Sequence, residues 1–412
     1  MAHVTFDAQE RSNRSKNAKG SYNSYYMTFR APLGLQFSSV TLEIKRIEPR
    51  EFDAQREEWN ALLERSACDS VFLRWEWIHT WWKHFQQPHR TLVILTARLE
   101  GRLVGIAPFY FETAGLLRTR TLKFCSEELS PDYLDIIAEK GQEADFARSL
   151  WQYLQEHSED WDLISLDNLR AESLLATDPA SFNGNVHAVV VSNRCPHITI
   201  DRPFDIYYRE RPVLASFSFH KKMRHLFDKM NVKHVIASDE KCLSRQLDDL
   251  FFLHEKRAQQ MHMRSNFTSE MARRFHLEVS GLFFQEQILS LHFLYDGLKP
   301  VSAYYAFIYG RKEFLYQTGF DPAYSKWSAG AVLLYFCVRR AFEDGLREFD
   351  FLKGTESYKS LWANGFRDEM QLTGFNKTWR GSFWHTMSRL KGFLRRVKHI
   401  FIRRPSASRT SL

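Results

Sequence analysis

The sequence has few cysteines and no long hydrophobic run. Its five cysteines are scattered over 412 residues without a C-x-x-C pair, which argues against a disulfide framework or a zinc site and favours a reducing compartment. We expect no metal cofactor. The longest apolar run, AVLLYFCV at 331–338, is far shorter than the ~20 residues of a membrane-spanning helix. The N-terminus has no apolar signal-peptide core, so we expect a soluble, cytoplasmic protein.

Positive charge is scarce outside the C-terminal segment. The formal net charge is +8, but residues 380–412 contain nine Lys and Arg and no acidic residue, which leaves about −1 for residues 1–379. A protein that binds nucleic acid usually carries a broad basic face. We therefore expect no DNA partner, and the near-neutral body counts against a tRNA-binding surface.

The hydrophobic pattern predicts an α/β protein whose second half repeats the order of its first. Two strands joined by a turn at Gly101 precede an acidic turn, a helix and a further strand, and the same order recurs around Gly297. We predict a mixed sheet in two tandem domains that arose by internal duplication. The predicted parts are a disordered segment at 1–38, domains at 39–200 and 201–379, and a basic amphipathic helix with a tail at 380–412.

Six segments carry a family resemblance through their residues and their order. They are VFLRWEWIHTWWKHF, SPDYLDII, HKKMRHLFDKM, LHEKR, TGFDPAYSKWSAGAVLL and FDFLKGTESYKSLW. Together they resemble the CelD-like, FemAB-related branch of the GNAT acyltransferase superfamily in bacteria. The resemblance implies two GNAT-like domains, each with a twisted mixed sheet. It also implies transfer of an acyl group from a thioester donor to an amine, in envelope or exopolysaccharide metabolism.

The segment KWSAGAVLL predicts an anion-binding turn for the donor. Small residues at the start of a helix leave backbone N–H groups free for phosphate, and a lysine adds charge. The predicted donor-binding residues are Lys326, Ser328, Ala329, Gly330 and Ala331. The spacing departs from the usual GNAT pattern of a basic residue and two glycines, so acyl carrier protein and aminoacyl-tRNA remain alternatives to acyl-CoA. The turn also fits an ordinary N-cap by Ser328.

The segment 347–366 places reactive groups directly behind a short apolar strand. Ligands of α/β sheets gather beyond the carboxyl ends of strands, and Gly354 allows a sharp turn there. We interpret Asp350, Glu356, Tyr358 and Lys359 as catalytic candidates. A carboxylate would take the proton of the amine, the tyrosine would protonate the thiolate, and the lysine would hold the donor. Alternatively, Asp350 caps the next helix or pairs with Lys359, and Tyr358 fills the core.

Five further residues are candidates with weaker signals. Tyr133 is a catalytic candidate from SPDYLD, and the predicted substrate-binding residues are Asp132, His254, Arg257 and Tyr324. Asp132 and Tyr133 follow a proline turn, which also fits plain turn chemistry. His254 lies at helical spacing from Arg257, although a lone helical histidine is more often structural. The basic helix HKKMRH at 220–225 resembles one beside the substrate groove of this family, and by its residues alone it is interpreted as a solvated face.

The C-terminal segment predicts a basic amphipathic helix at 381–402. Apolar residues recur at spacings of one, three and four, with arginine and lysine between them. Such a helix suits the anionic inner leaflet of a membrane, and it also suits docking on the protein body. We therefore expect either peripheral attachment at the inner membrane or a docked helix.

Three functions remain open at this point. The first is an N-acyltransferase that uses acyl-CoA or an acyl carrier protein and modifies an amine on a small molecule, saccharide or lipid. The second is a tRNA-dependent aminoacyltransferase of the FemAB type. The third is a non-catalytic scaffold in exopolysaccharide assembly, which the departure from the donor motif favours and the retained reactive groups disfavour.

Overall fold

One mixed sheet of thirteen strands runs through the part of the chain that the structure, a computed structural model, describes. The described residues are 41–178, 186–354 and 356–402. The predicted disordered segment 1–38 and the tail at 403–412 lie outside them. The strands are β1 Ile44–Arg46, β2 Arg90–Leu99, β3 Arg102–Ala114, β4 Thr119–Phe124, β5 Ile137–Ala138, β6 Leu163–Arg170, β7 Val186–Thr199, β8 Val232–Ile236, β9 Leu289–Asp296, β10 Lys299–Tyr309, β11 Lys312–Phe320, β12 Glu348–Asp350 and β13 Gly365–Phe375.

Helices cover the sheet. They are α1 Pro49–Asp53, α2 Arg56–Arg65, α3 Trp75–Phe85, α4 Glu143–Glu156, α5 Leu174–Thr177, α6 Phe204–Arg209, α7 Phe217–Arg224, α8 Glu240–Gln260, α9 Glu270–Gln285, α10 Ala329–Glu343, α11 Ser357–Trp362 and α12 Trp379–Ile402. A π-helical turn, His225–Lys229, follows α7 directly. Among the described helices, none has the combination of length and hydropathy that a membrane span requires.

The predicted repeat of elements is present in the structure. In the first half, the hairpin β2–β3 leads to β4, then through α4 to β6, which pairs in parallel with β4. In the second half, the hairpin β9–β10 leads to β11, then through α10 to β12, which pairs in parallel with β11. The prediction of a mixed α/β fold is therefore confirmed.

The two halves exchange strands. The sheet order is β1-β2-β3-β4-β6-β13-β7-β12-β11-β10-β9-β8, with β5 beside β3. Thus β7, from the first half, lies beside β12, and β13, from the second half, lies between β6 and β7. The described part of the chain forms one compact unit. The boundary at residues 200/201 stays a prediction.

Large aromatic side chains fill the core on both faces of the sheet. Trp59, Trp77, Trp81, Trp151 and Trp161 are fully buried in the larger hydrophobic cluster, which reaches from the first half onto α8 and α9. A smaller cluster packs α6 and α10 onto the other face of the second half. This packing holds the ends of β11 and β12 in place, where the predicted reactive groups occur.

Candidate active site

A cleft opens where two parallel strands diverge. Strands β11 and β12 pair only through Lys312–Phe314 and Glu348–Asp350. Strand β12 ends at Asp350, whereas β11 continues to Phe320. Beyond Phe314, the edge of β11 that faced β12 is therefore open to other groups. We call the space between this edge and the segment after Asp350 the cleft.

Helix α8 lies directly against the open part of β11 because Gly319 has no side chain. A Cβ added at Gly319 would stand 2.6 Å from the backbone nitrogen of His254, which is closer than any side chain tolerates. Across this contact the Arg257 guanidinium donates to the Thr318 carbonyl at 3.1 Å and to its hydroxyl at 2.5 Å. Arg257 is thereby fixed at the cleft, and its role in substrate binding stays a prediction.

His254 occupies a structural position at the same contact. Its Nδ1 lies 2.8 Å from the Ser265 hydroxyl and its Nε2 lies 2.9 Å from Oε1 of Gln317. Burial lowers the pKa of His254 to about 4, so the ring is neutral near pH 7. Both ring nitrogens are already occupied, which leaves His254 to hold α8 on β11.

The turn after β12 brings Glu356 and Lys359 to the cleft. Gly354 has φ +140, and a Cβ there would stand 2.1 Å from Glu356 Oε2, so glycine is required. The Lys359 ammonium lies 3.3 Å from that Glu356 oxygen, and the Arg257 guanidinium lies 3.8 Å from Oε1. Lys359 also donates to the carbonyl of Lys353 at 2.6 Å. The Glu356 side chain is one-third exposed, although its Oε2 atom is buried.

Tyr358 completes this group. Its hydroxyl interacts with Thr318 and lies near Glu356 and Arg257. Burial raises the pKa of Tyr358, so the phenol keeps its proton near neutral pH. Arg257, Thr318, Glu356, Tyr358 and Lys359 therefore form one polar group around the cleft. A carboxylate that accepts a proton and a phenol that donates one stand side by side in it.

The predicted anion-binding turn follows β11. Ser328 adopts the left-handed conformation with φ 56 and makes no side-chain cap bond, so the alternative of an ordinary N-cap by Ser328 is wrong. Its hydroxyl instead accepts from the Lys222 ammonium at 3.1 Å. Ala329, Gly330 and Ala331 begin α10, and the first N–H groups of a helix have no partner within it. A Cβ at Gly330 would make ordinary van der Waals contact with Phe320 at 3.6 Å, so glycine leaves the backbone accessible at this residue.

The side chains around this turn are basic and aromatic. The His225 ring stacks on Trp327 with centroids 3.5 Å apart, and the Lys326 ammonium lies 5.1 Å from the centre of the same indole. Helix α7 and its π turn thus place Lys222 and His225 against the turn. For Lys222, the interpretation of HKKMRH as a solvated face is wrong. A free cluster of N–H groups beside two lysines is suited to a phosphate group.

Asp350 is buried in a network that joins the two halves. Tyr133 Oη donates to Asp350 Oδ2 at 2.7 Å, the Leu352 amide donates to Oδ1, and Arg367 donates to Oδ2 at 3.0 Å. Arg367 also pairs with Glu348 through two bonds. The pairing of Asp350 with Lys359, which the sequence left open, does not occur. Burial, together with the charge of Glu348, raises the pKa of Asp350 to about 7.

Asp132 lies in a neighbouring buried cluster. Lys353 donates its amide to Asp132 Oδ2 at 2.5 Å, and the Lys353 ammonium lies 2.9 Å from Oδ1. Asp132, Cys195 and Glu369 each present an atom within 4.8 Å of the others, an arrangement that would suit a metal ion. The lysine cation already faces Asp132, so this cluster is balanced by charges of the chain itself. Asp132 and Tyr133 both fix the segment after β12, from behind the cleft.

Tyr324 is not brought to the cleft. Its hydroxyl donates to Asp296 at 2.8 Å, and the Lys299 ammonium lies over its ring. The predicted residues thus separate into four places: the cleft with Arg257, Glu356, Tyr358 and Lys359; the turn at 326–331; the buried network with Asp132, Tyr133 and Asp350; and structural contacts of His254 and Tyr324.

Three residues that matter here were missed in the sequence. Lys222 stands at the turn, Thr318 organises the cleft, and Arg367 neutralises Asp350. The HKKMRH helix offered a signal for Lys222, since basic residues clustered there. Nothing in the local pattern marked Thr318 or Arg367, because their roles depend on strand pairing between distant segments.

Comparison with known proteins finds one matching type of domain. Residues 218–360 match the family model described as acetyltransferase (GNAT) domain. This segment, which contains α8, β11, the turn, α10 and the residues of the cleft, is therefore similar to a GNAT domain. No curated protein matches the sequence.

Two solved structures show that the likeness extends over the fold. The crystal structure of FemX has a TM-score of 0.57 and 10% identity, and the match covers 81% of this chain and 97% of FemX. A conserved protein of unknown function from Bacteroides thetaiotaomicron VPI-5482 has a TM-score of 0.50 and 11% identity, and the match covers 82% of this chain and 100% of that chain. The predicted resemblance to GNAT and FemAB-related proteins is thus confirmed for the fold, and the CelD-like subgroup stays a prediction.

Proposed function

We propose that this protein, in which residues 218–360 are similar to a GNAT domain, is an N-acyltransferase that moves an acyl group from a thioester donor to an amine. The observation that carries the proposal is the convergence of Arg257, Glu356, Tyr358 and Lys359 on the cleft between β11 and the segment after β12. Arg257 comes from α8 and the other three come from the start of α11, and the two elements meet where the sheet opens. The proposed reaction is transfer of groups other than aminoacyl.

The turn at 326–331 is the proposed anchor for the donor. The free N–H groups at the start of α10, with Lys222 and Lys326 beside them, fit the pyrophosphate of an acyl-CoA. The absence of a side chain at Gly330 allows close approach of phosphate to the backbone. The thioester of the donor supplies the activated acyl group. An acyl carrier protein, whose prosthetic group also carries a phosphate, is the second donor that this turn fits.

Glu356 and Tyr358 are the proposed proton-transfer groups. The amine attacks the thioester carbonyl, so a C–N bond forms and the C–S bond breaks. Glu356 accepts the proton that the nitrogen loses, and the Tyr358 hydroxyl donates a proton to the departing thiolate. Arg257 and Lys359 hold the Glu356 carboxylate in place through their charges. Tyr133 and Asp350 act as positioning residues, because they fix the start of the segment that carries Glu356.

The proposed acceptor is an amine on a small molecule, a saccharide or a lipid. Support for a role in envelope, lipid or exopolysaccharide metabolism comes from the family resemblance of the motifs alone. The exposed Glu356 carboxylate suits a protonated amine, since it offers both charge attraction and a proton acceptor.

Thermal-shift binding tests the donor. We expect the melting temperature to rise with coenzyme A, acyl-CoAs or an acyl carrier protein, because ligands that bind only the folded state stabilise it. The rise should disappear in Gly330→Trp, which places a large side chain at the turn, and persist in the control Gly281→Trp, where an added Cβ meets nothing within 4 Å. Binding of aminoacyl-tRNA instead would favour the FemAB-type reaction, and binding of none of these donors would favour a scaffold.

A further inference from the structure

The first turns of the C-terminal helix dock on the body. Gly381 lies so close to the backbone that an added Cβ would stand 2.3 Å from the Asn376 carbonyl. Trp384 Nε1 donates to the Thr119 hydroxyl at 2.9 Å, and the His385 ring stacks on Phe375. These contacts fix the first turns of α12 against β4 and the end of β13. The first turns of the helix are therefore docked on the body.

The opposite face of α12 is apolar and exposed. Trp379, Phe383 and Leu390 are 63%, 44% and 48% exposed. Their spacings of four and seven residues place them on one side of the helix, opposite Gly381. The Phe383 ring also contacts the Trp384 ring edge to face, with centroids 5.5 Å apart. A docked surface helix normally presents polar residues to water. Three large apolar side chains in a row on its outer face mark an interaction surface instead.

A neighbouring turn extends this surface. The turn between β3 and β4 carries Leu116, which is fully exposed, followed by the exposed Arg118. Arg380 Nε donates to the Leu117 carbonyl at 2.7 Å, so the turn is tied to the first turn of α12. Leu116 therefore belongs to the same side of the molecule. We call Leu116, Trp379, Phe383 and Leu390 the apolar face.

Charge decides which partner this face fits. The sequence from Trp379 to the end has nine Lys and Arg and no acidic residue. A second copy of the chain would bring two such basic segments together and would be repelled. Residues 1–38 carry five Lys and Arg against two acidic residues, so they do not complement the charge either. An anionic lipid surface complements both the basic residues and the exposed tryptophan, phenylalanine and leucines.

We infer that the apolar face and its arginines form a docking site for the surface of an anionic bilayer. Trp379, Phe383, Leu390 and Leu116 would enter the headgroup region from two separate elements, and Arg118 and Arg389 would face the lipid phosphates. Because the site includes a turn of the first half, it is a surface of the folded protein and not a property of the tail alone.

Vesicle sedimentation with the full chain tests this inference. We expect binding to phosphatidylcholine vesicles that contain phosphatidylglycerol and much weaker binding to phosphatidylcholine alone. The double variant Leu116→Glu/Phe383→Glu should weaken partitioning at least about tenfold, because burial of one such side chain is worth about that factor. Arg118→Gln and Arg389→Gln should each weaken it by up to about fivefold. The control Leu298→Glu changes another strongly exposed leucine, at the β9–β10 turn, and should bind like the wild type.

Several outcomes would overturn the inference. These are absence of wild-type binding to anionic vesicles, or equal binding by the wild type and the double variant. Self-association that the double variant abolishes, without vesicle binding, would assign the face to a second copy. Vesicle binding that appears only after deletion of residues 1–40 would indicate that the N-terminal segment occupies the apolar face in the full chain. Circular dichroism and thermal melting should be unchanged in the variants, since the replaced side chains make no core contact.

Discussion

Glu356 is the carboxylate of the cleft that an amine can reach. It is held between Arg257 and Lys359, and the neutral Tyr358 stands beside it. We predict that Glu356→Gln lowers kcat by about 10²- to 10⁴-fold, because it removes a proton acceptor while keeping the size of the side chain. Donor binding should change little, since the turn at 326–331 is separate from Glu356. Release of free thiol and thermal shift measure the two quantities.

A matched control separates this effect from a general loss of charge. Glu343→Gln removes a carboxylate that pairs with Arg339 on the exposed face of α10, and it should keep full activity. Wild-type kcat in Glu356→Gln would assign the proton acceptor to another group. A loss of donor binding equal to the loss of kcat would indicate that Glu356 binds the donor and does not accept a proton.

Asp350 should make stability depend on pH. Its pKa is about 7 in the folded protein and about 3.9 in an unfolded chain, so the folded state keeps a proton that the unfolded state loses. This contribution is fully present below about pH 4 and is lost as pH rises toward 7, by at most about 1.4 kcal/mol per pH unit. Tyr133, Glu348 and Arg367 are the groups that face this carboxyl.

Asp350→Asn should remove this contribution. The free energy of unfolding, measured with urea at several pH values, is expected to fall less steeply between pH 5 and 7 in the variant than in the wild type. Two parallel curves would mean that Asp350 is already ionised at pH 5. The wild type and the variant share all other buried carboxyls, so the contributions of these groups to the pH dependence cancel in the comparison.

The same residue shows what the sequence can and cannot reveal. A carboxylate next to apolar strand residues indicated that Asp350 has a specific role. In the structure it accepts hydrogen bonds from Tyr133 and Arg367. The carboxylate is fully buried. Its partner Tyr133 is 217 residues away, and Arg367 reaches it from another strand. Such a partner follows from strand pairing and not from local spacing.

At the scale of elements, the contact between α8 and β11 depends on one glycine. An alanine at Gly319 would press against the backbone of His254 and Leu253 at 2.6–2.7 Å. We predict that Gly319→Ala lowers the free energy of unfolding by about 1–3 kcal/mol through overpacking. Donor-dependent activity should fall as well, because Arg257 moves with α8.

Gly281→Ala is the matched control. Gly281 lies within α9, and a Cβ there meets nothing within 4 Å. Alanine in a helix interior is more favourable than glycine, so this variant should be more stable by about 1 kcal/mol. Urea denaturation measures both changes. If Gly319→Ala leaves the free energy of unfolding unchanged, α8 can move away from β11 without loss of stability. The contact at Gly319 would then not explain the fixed position of Arg257.

Elements with a clear period were predicted well, and their pairing was not. The hairpins around Gly101 and Gly297 show alternating hydrophobic residues, and both form at those turns. The helix after Ser328 also begins where small residues precede an apolar run. By contrast, β7 and β13 pair with strands of the opposite half. Periodicity gives the face that a strand buries but carries no information about which strand lies beside it.

At the scale of the whole molecule, the exchange of β7 and β13 makes the folding of each half depend on the other. In the intact chain β13 pairs with β6 along Leu163–Arg170 and with β7 along most of its length. A fragment that ends at residue 200 would carry β7 without either of its neighbours, and it would lack the strand that covers β6. Unpaired strand edges in an apolar sheet favour aggregation.

We therefore predict that fragments 39–200 and 201–412 fail to fold alone but assemble when they are produced together. With a tag on one fragment, both should be recovered as a pair with one cooperative melting transition. A shorter second fragment, 201–364, lacks β13 and should not be recovered with the first, because both the pairing to β6 and the contacts of Arg367 are gone.

If either fragment instead melts cooperatively as a soluble monomer, the halves are autonomous domains and the boundary at residues 200/201 is a true domain boundary. Assembly only as a pair would mean that the duplicated units now fold as one, with Tyr133 of the first half positioning the cleft of the second.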